Sequence, residues 1–136
     1  MVVQSYKFTN LAKEKNVSLT TFRKSGEAVI TPMWFAESEG TIYAETGVYA
    51  GKLKRIRHTA RVTVAACTIS GKVSGSEVEG KARILTETQE IITAKAAMSK
   101  KYGLMHSLYY FLLNTISAVQ RKPQINLVYI AIEPVT

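Results

Sequence analysis

Apolar and polar positions alternate in short runs along most of the chain, and turn-forming residues separate the runs. Residues 17–24 (VSLTTFRK) are rich in β-branched side chains and predict a strand. Ser25 and Gly26 predict a tight hairpin turn, because glycine tolerates the positive φ such turns require. Residues 27–36 (EAVITPMWFA) predict the return strand. Its centre is apolar on both sides of the alternation, so both of its faces should be covered. Pro32 cannot donate to a ladder and therefore predicts a sheet edge or a bulge. Residues 37–40 predict a second turn, and 41–46 (TIYAET) a third strand. A fourth strand is predicted over 62–68. A fifth spans 77–85, where Val78, Gly80, Ala82 and Ile84 alternate with Glu77, Glu79, Lys81 and Arg83. The last, 125–132 (INLVYIAI), is apolar on both faces.

Between these runs the period changes. In TGVYAGKLKRIRHTAR, residues 46–61, helical spacing of about 100° per residue gathers Leu53, Ile56 and Ala60 into one apolar stripe. Lys52, Arg55 and Thr59 flank the stripe on one side, and Lys54, Arg57 and Arg61 on the other. Thr86 and Gln89 fit a capping box that starts a second helix, with Ile91, Ala94, Met98 and Tyr102 as its apolar face and Gly103 as its C-terminal stop. Residues 104–117 (LMHSLYYFLLNTIS) predict a further helix, apolar on most of its circumference, which a partner subunit would cover. A short helix is predicted over 5–15, with Tyr6, Phe8 and Leu11 as its contacts. The count is about six strands and three or four helices joined by short hairpins. It describes a mainly β domain with flanking helices, its antiparallel sheet closed as a barrel. No repeat or linker divides residues 1–136.

Charge sharpens this picture. The formal net charge is +8, and five of the 18 basic residues (Lys52, Lys54, Arg55, Arg57 and Arg61) fall within ten positions after Gly51. A basic helix with a glycine turn at its start suits an anion, a phosphate in particular. As a solvated face the helix needs no ligand; otherwise it is a nucleic-acid patch or a clamp for a cofactor phosphate. Apart from Tyr49, no aromatic side chain stands near the run to stack on bases, which disfavours nucleic acid as the partner. One cysteine, Cys67 in the apolar run VTVAAC, cannot form an internal disulfide and reads as a small buried hydrophobe. His58 and His106 share no ligand spacing, so no metal is expected. No Walker A, GxGxxG, HExxH or GxSxG motif occurs, and no catalytic residue can be assigned. The start MVVQSYKFTN does not read as a signal peptide, and the longest apolar run, 108–113, is far short of the roughly 20 residues of a membrane span. The cytoplasm is the expected location.

The segments TTFRKSGEAVITPMWF, TGVYAGKLKRIRHTARVTVAAC, EGKARIL and KYG, in this order and spacing, resemble the pyridoxamine 5'-phosphate oxidase-like split β-barrel family. The similarity covers roughly residues 17–103 and is nearest to the short branch of coenzyme F420-dependent enzymes. It implies a six-stranded antiparallel split β-barrel of the FMN-binding type and a homodimer, with FMN or coenzyme F420 in a groove at the dimer interface. Thr31, Pro32, Met33 and Trp34 match the strand along the flavin ring. Thr46, Gly51, Lys52 and Arg55 match the positions holding the phosphate-bearing tail, with Ile56 and Arg57 nearby. The implied activity is hydride transfer to a small-molecule substrate, or alternatively a flavin- or haem-binding carrier or sensor on the same fold. The family's substrate signature for pyridoxal phosphate near the C-terminus is missing, which argues against a true pyridoxamine-phosphate oxidase. The surplus positive charge favours the polyanionic F420 tail over FMN, and both remain open.

Overall fold

The structure is a computed structural model, and it describes residues 11, 14, 16–48, 50–68, 72, 73, 75, 77–119 and 127–135. Its centre is one antiparallel sheet of seven strands: β1 (Asn16–Phe22), β2 (Ala28–Trp34), β3 (Ala36–Ser38), β4 (Thr41–Gly47), β5 (Arg61–Cys67), β6 (Val78–Ile84) and β7 (Leu127–Pro134). Their order is β2-β1-β5-β6-β7-β4-β3. The sheet curls until β2 touches β4, but β2 and β3 remain its edges, so the barrel is split rather than sealed. Two helices stand among the described residues, α1 (Gly51–His58) and α2 (Thr88–Val119). No helix among the described residues is long and apolar enough to cross a membrane.

Seven strands stand where six were expected because residues 27–36 divide at Phe35. β2 pairs with β1 as far as Trp34 opposite Asn16, and β3 pairs with β4 from Ala36 opposite Tyr43. Phe35 lies in neither ladder. Pro32 does sit on an edge strand, opposite Ser18. The first hairpin turns at Gly26 (φ 92°), whose N–H donates to the Arg23 carbonyl at 2.8 Å. The second turn is tighter than residues 37–40: Glu39 (φ 51°) and Gly40 (φ 83°) both take positive φ, the geometry of a two-residue hairpin loop.

The barrel interior is filled by Leu19, Phe35, Ile42, Val62, Val64, Ile130 and Ile132, with Leu53 and Ile56 of α1 set into the same cluster. Ala60 does not extend that stripe. The helix stops at His58, Thr59 is extended, and the exposed Ala60 uses its carbonyl to accept the Ala82 N–H at 2.8 Å, lengthening the sheet. On the outer face, Leu85, Ala94, Tyr129 and Ala131 form a second cluster with Ile91 of α2, so β7 is covered on both sides as its sequence predicts. Cys67 is buried among the strands, and burial pushes its thiol up.

The second helix begins at Thr88, one residue later than a cap at Thr86 implies, with the Ile91 N–H donating to the Glu87 carbonyl at 3.1 Å. Its first turn is fixed from outside. Arg83 of β6 grips Glu90 through both carboxylate oxygens at 2.8 and 2.6 Å, and its Nε donates to Glu133 of β7 at 2.8 Å. Gly103 (φ 56°, ψ −133°) breaks α2 into two helical segments, the stop its sequence predicts. In the segment after it, Leu108 and Leu112 are about half exposed (53% and 49%), one turn apart. The other side chains of 104–119, His106 included, lie outside the described residues, as do most of the helix expected over 5–15 and residues 125–126 of the expected last strand.

Candidate functional site

The chain turns from β4 into α1 through Ala50, whose extended backbone (φ −64°, ψ 135°) caps the helix without a side-chain hydrogen bond. No acidic residue lies in the first turn. The positive end of the helix dipole therefore carries no side-chain cap and no neutralising carboxylate in its first turn. Arg55 reaches back over it. Its Nε donates to Oγ1 of the buried Thr21 on β1 at 2.6 Å, which fixes the guanidinium. A Cβ added at Gly51 would lie 2.9 Å from Arg55 Nη1. A side chain at this position would displace the end of the Arg55 guanidinium from its place over the helix start.

Gly51, Lys54, Arg55 and His58 line one side of a cleft of about 380 Å³, and the β1–β2 hairpin supplies the other through Phe22, Arg23 and Lys24. The four helix positions follow the i, i+3, i+4, i+7 spacing of a single face. Burial and Arg23 both lower the Arg55 pKa, and burial, then Arg55, lowers that of Lys52. Desolvated cations beside like charges gain most from a bound anion.

The expected site residues separate into groups. Gly51 and Arg55 meet in the cleft. Lys52 lies half-buried on the side of α1 that carries Leu53 and Ile56, and does not line it. Ile56 is in the core, Arg57 is exposed, and Thr46 is buried on β4 opposite Val128. Thr31, Pro32, Met33 and Trp34 occupy the far half of the edge strand β2. From Ala28 beside the hairpin to Trp34, that strand runs roughly 20 Å at about 3.3 Å per residue, so one edge links the cleft to Trp34. Thr31 Oγ1 is enclosed and has no hydrogen-bond partner among the described residues. An unpartnered hydroxyl on this strand fits a ligand with polar ring atoms. Arg23, Lys24 and Lys54 are cleft residues that the sequence reading did not assign.

At the end of β2 the Trp34 indole stacks on Tyr102, with centroids 5.0 Å apart and planes 17° from parallel. The Tyr102 hydroxyl donates to the Phe35 carbonyl at 2.7 Å and accepts the Phe35 N–H at 2.9 Å. Burial, its main cause, pushes the phenol up to about 12, so it stays a donor. Lys101 donates to the Glu14 carbonyl and holds its ammonium 3.5 Å from the Phe35 ring centroid.

Burial lowers the Lys101 pKa from 10.5 to about 8. Between those values the unfolded chain holds a proton that the folded chain has lost, so this lysine makes stability rise with pH. Tyr102 acts in the opposite sense above pH 10, where the folded phenol keeps a proton the unfolded one loses. Lys101→Met should therefore flatten the rise between pH 8 and 10 in denaturant midpoints. Parallel curves for the two proteins would remove Lys101 from this role.

The sequence model of the family described as pyridoxamine 5'-phosphate oxidase matches residues 7–136. None of the curated proteins matches the chain. Several solved structures share its fold. A FAD-binding protein from Mesorhizobium loti is 16% identical, with 100% of this chain and 89% of that one covered and a TM-score of 0.62. The haem-storage protein HutZ from Vibrio cholerae is 11% identical over 96% and 87%, at 0.63. A chain described as an F420 reductase is 16% identical over 93% and 92%, at 0.59.

Proposed function

Because the chain belongs to the pyridoxamine 5'-phosphate oxidase family, we propose that it is an oxidoreductase that binds FMN or coenzyme F420 and transfers hydride to a small-molecule substrate. The observation that carries this reading is the basic cleft over the start of α1, joined by edge strand β2 to the enclosed Thr31 hydroxyl and the Trp34 ring. The cleft takes the phosphate, with Arg55 already oriented by Thr21. β2 lies along the ring. The cofactor supplies the hydride chemistry, and these residues supply binding and orientation, which agrees with a sequence that has no acid–base constellation. A second copy of the chain completes the groove in this proposal. The exposed Ile30 of β2 and Leu108 and Leu112 of α2 are among the apolar side chains available to it.

Titration of the purified protein with FMN and with coenzyme F420 tests the proposal. Binding of one of them well below millimolar is expected. If neither binds more tightly than about 1 mM, near −4 kcal/mol, the cofactor reading is wrong. A second reading, a carrier of flavin or haem without turnover, draws on the exposed His58 in the cleft as an axial ligand and on the structural likeness to a haem-storage protein. A haem absorbance spectrum that His58→Ala abolishes would decide for it.

A further inference from the structure

We propose that Tyr102 is a positioning residue for Trp34, setting the indole for the cofactor ring; this rests on the reading of β2 as the ring-binding strand. Three observations converge. The junction between β2 and β3 leaves Phe35 outside both ladders, yet Phe35 is fully buried, and buried backbone groups need partners. One hydroxyl supplies both, accepting from its N–H and donating to its carbonyl. The ring bearing that hydroxyl stacks on Trp34, the residue just before the junction.

Tyr102 therefore holds the backbone after Trp34 and the side chain of Trp34 at once. It does so from 67 residues away, at the last position of α2 before the Gly103 break. The helix in turn is stapled to the same junction by Lys101, over the Phe35 ring and on the Glu14 carbonyl. The Tyr102 ring lies against one face of the indole, and Trp34 as a whole stays partly exposed at the sheet edge.

Trp34 is the only tryptophan, so the protein's indole emission reports this side chain alone. The test compares wild type with Tyr102→Phe, Tyr102→Leu, Trp34→Leu and the double variant Trp34→Leu/Tyr102→Leu. Emission anisotropy of the unliganded protein should fall in Tyr102→Leu and fall less in Tyr102→Phe, which keeps the ring. Affinity for FMN and for coenzyme F420, each titrated separately, should drop about two- to tenfold in Tyr102→Leu, the range of an aromatic pair. The double variant should bind no more weakly than Trp34→Leu alone.

Unchanged anisotropy in Tyr102→Leu overturns the inference, because Tyr102 then does not hold the indole. A loss in Tyr102→Leu that multiplies with the loss in Trp34→Leu overturns it too, and leaves the ring-binding reading of β2 intact. Unaltered affinity in Trp34→Leu takes down that reading and the inference together. Should Tyr102→Leu fail to fold, Tyr102→Met, which also removes the ring and keeps more of its volume, carries the same comparisons.

Discussion

Arg55→Ala is expected to weaken FMN binding by about 1.5–3 kcal/mol, about ten- to 150-fold, and to leave the affinity for riboflavin, which has no phosphate, nearly unchanged. The size follows from the geometry. Arg55 is pinned by Thr21, so little side-chain freedom is lost when it meets a phosphate, and it lies directly over the helix start at Gly51. Its positive charge is disfavoured by burial and then by Arg23, and a bound anion offsets these costs by direct attraction. Isothermal titration with the two flavins reads the effect. Equal losses for FMN and riboflavin would mean that Arg55 shapes the protein rather than binding phosphate. The remaining cleft cations are more exposed, and each should contribute less in the presence of salt.

The largest loss of stability is expected from Phe35→Ala, about 3–5 kcal/mol, or about 10–20 °C in Tm. Phe35 is 0% exposed in the barrel core. Its removal leaves a cavity where Leu53, Ile42 and their neighbours pack, and it strips the ring on which the Lys101 ammonium rests. The backbone there depends on Tyr102, so the junction loosens with the core. Thermal unfolding followed by circular dichroism measures it. A Tm lowered by less than about 4 °C would show that the core closes over the gap.

The same junction shows what could and could not be read from the sequence. Strand positions were legible, because alternation and turn residues are local signals: Gly26, Gly40 and Gly103 fall where the chain turns or stops. The division of residues 27–36 was not. EAVITPMWFA is continuous as a pattern, and it is cut by a hydroxyl brought in from α2. The helix after Thr86 starts one residue later than the expected cap implies, and its first turn is held by Arg83 on Glu90, a contact from outside the local pattern; the stripe to Ala60 gives way to the pairing of its carbonyl with Ala82.

In the candidate site, Gly51 and Arg55 were legible as a glycine turn with a following cation. The partners across the cleft, Arg23 and Lys24, come from a hairpin whose place beside α1 depends on the sheet order. Lys54 did carry a signal. Gly51, Lys54, Arg55 and His58 are spaced as one helical face, whereas Lys52 shares the side of Leu53 and Ile56. Angles measured only from the apolar stripe grouped Lys52 with Arg55 instead.

The central claim is that the cleft over α1 binds the phosphate of a flavin-type cofactor. The most direct measurement is a paired titration of the wild-type protein, with FMN against riboflavin and with coenzyme F420 against the same deazaflavin lacking its phosphate-bearing tail. The account predicts that in at least one pair the phosphate-bearing form binds at least tenfold more tightly, about 1.4 kcal/mol or more, and that added salt narrows the gap. Equal affinities within each pair, or no binding by any of the four, would contradict it.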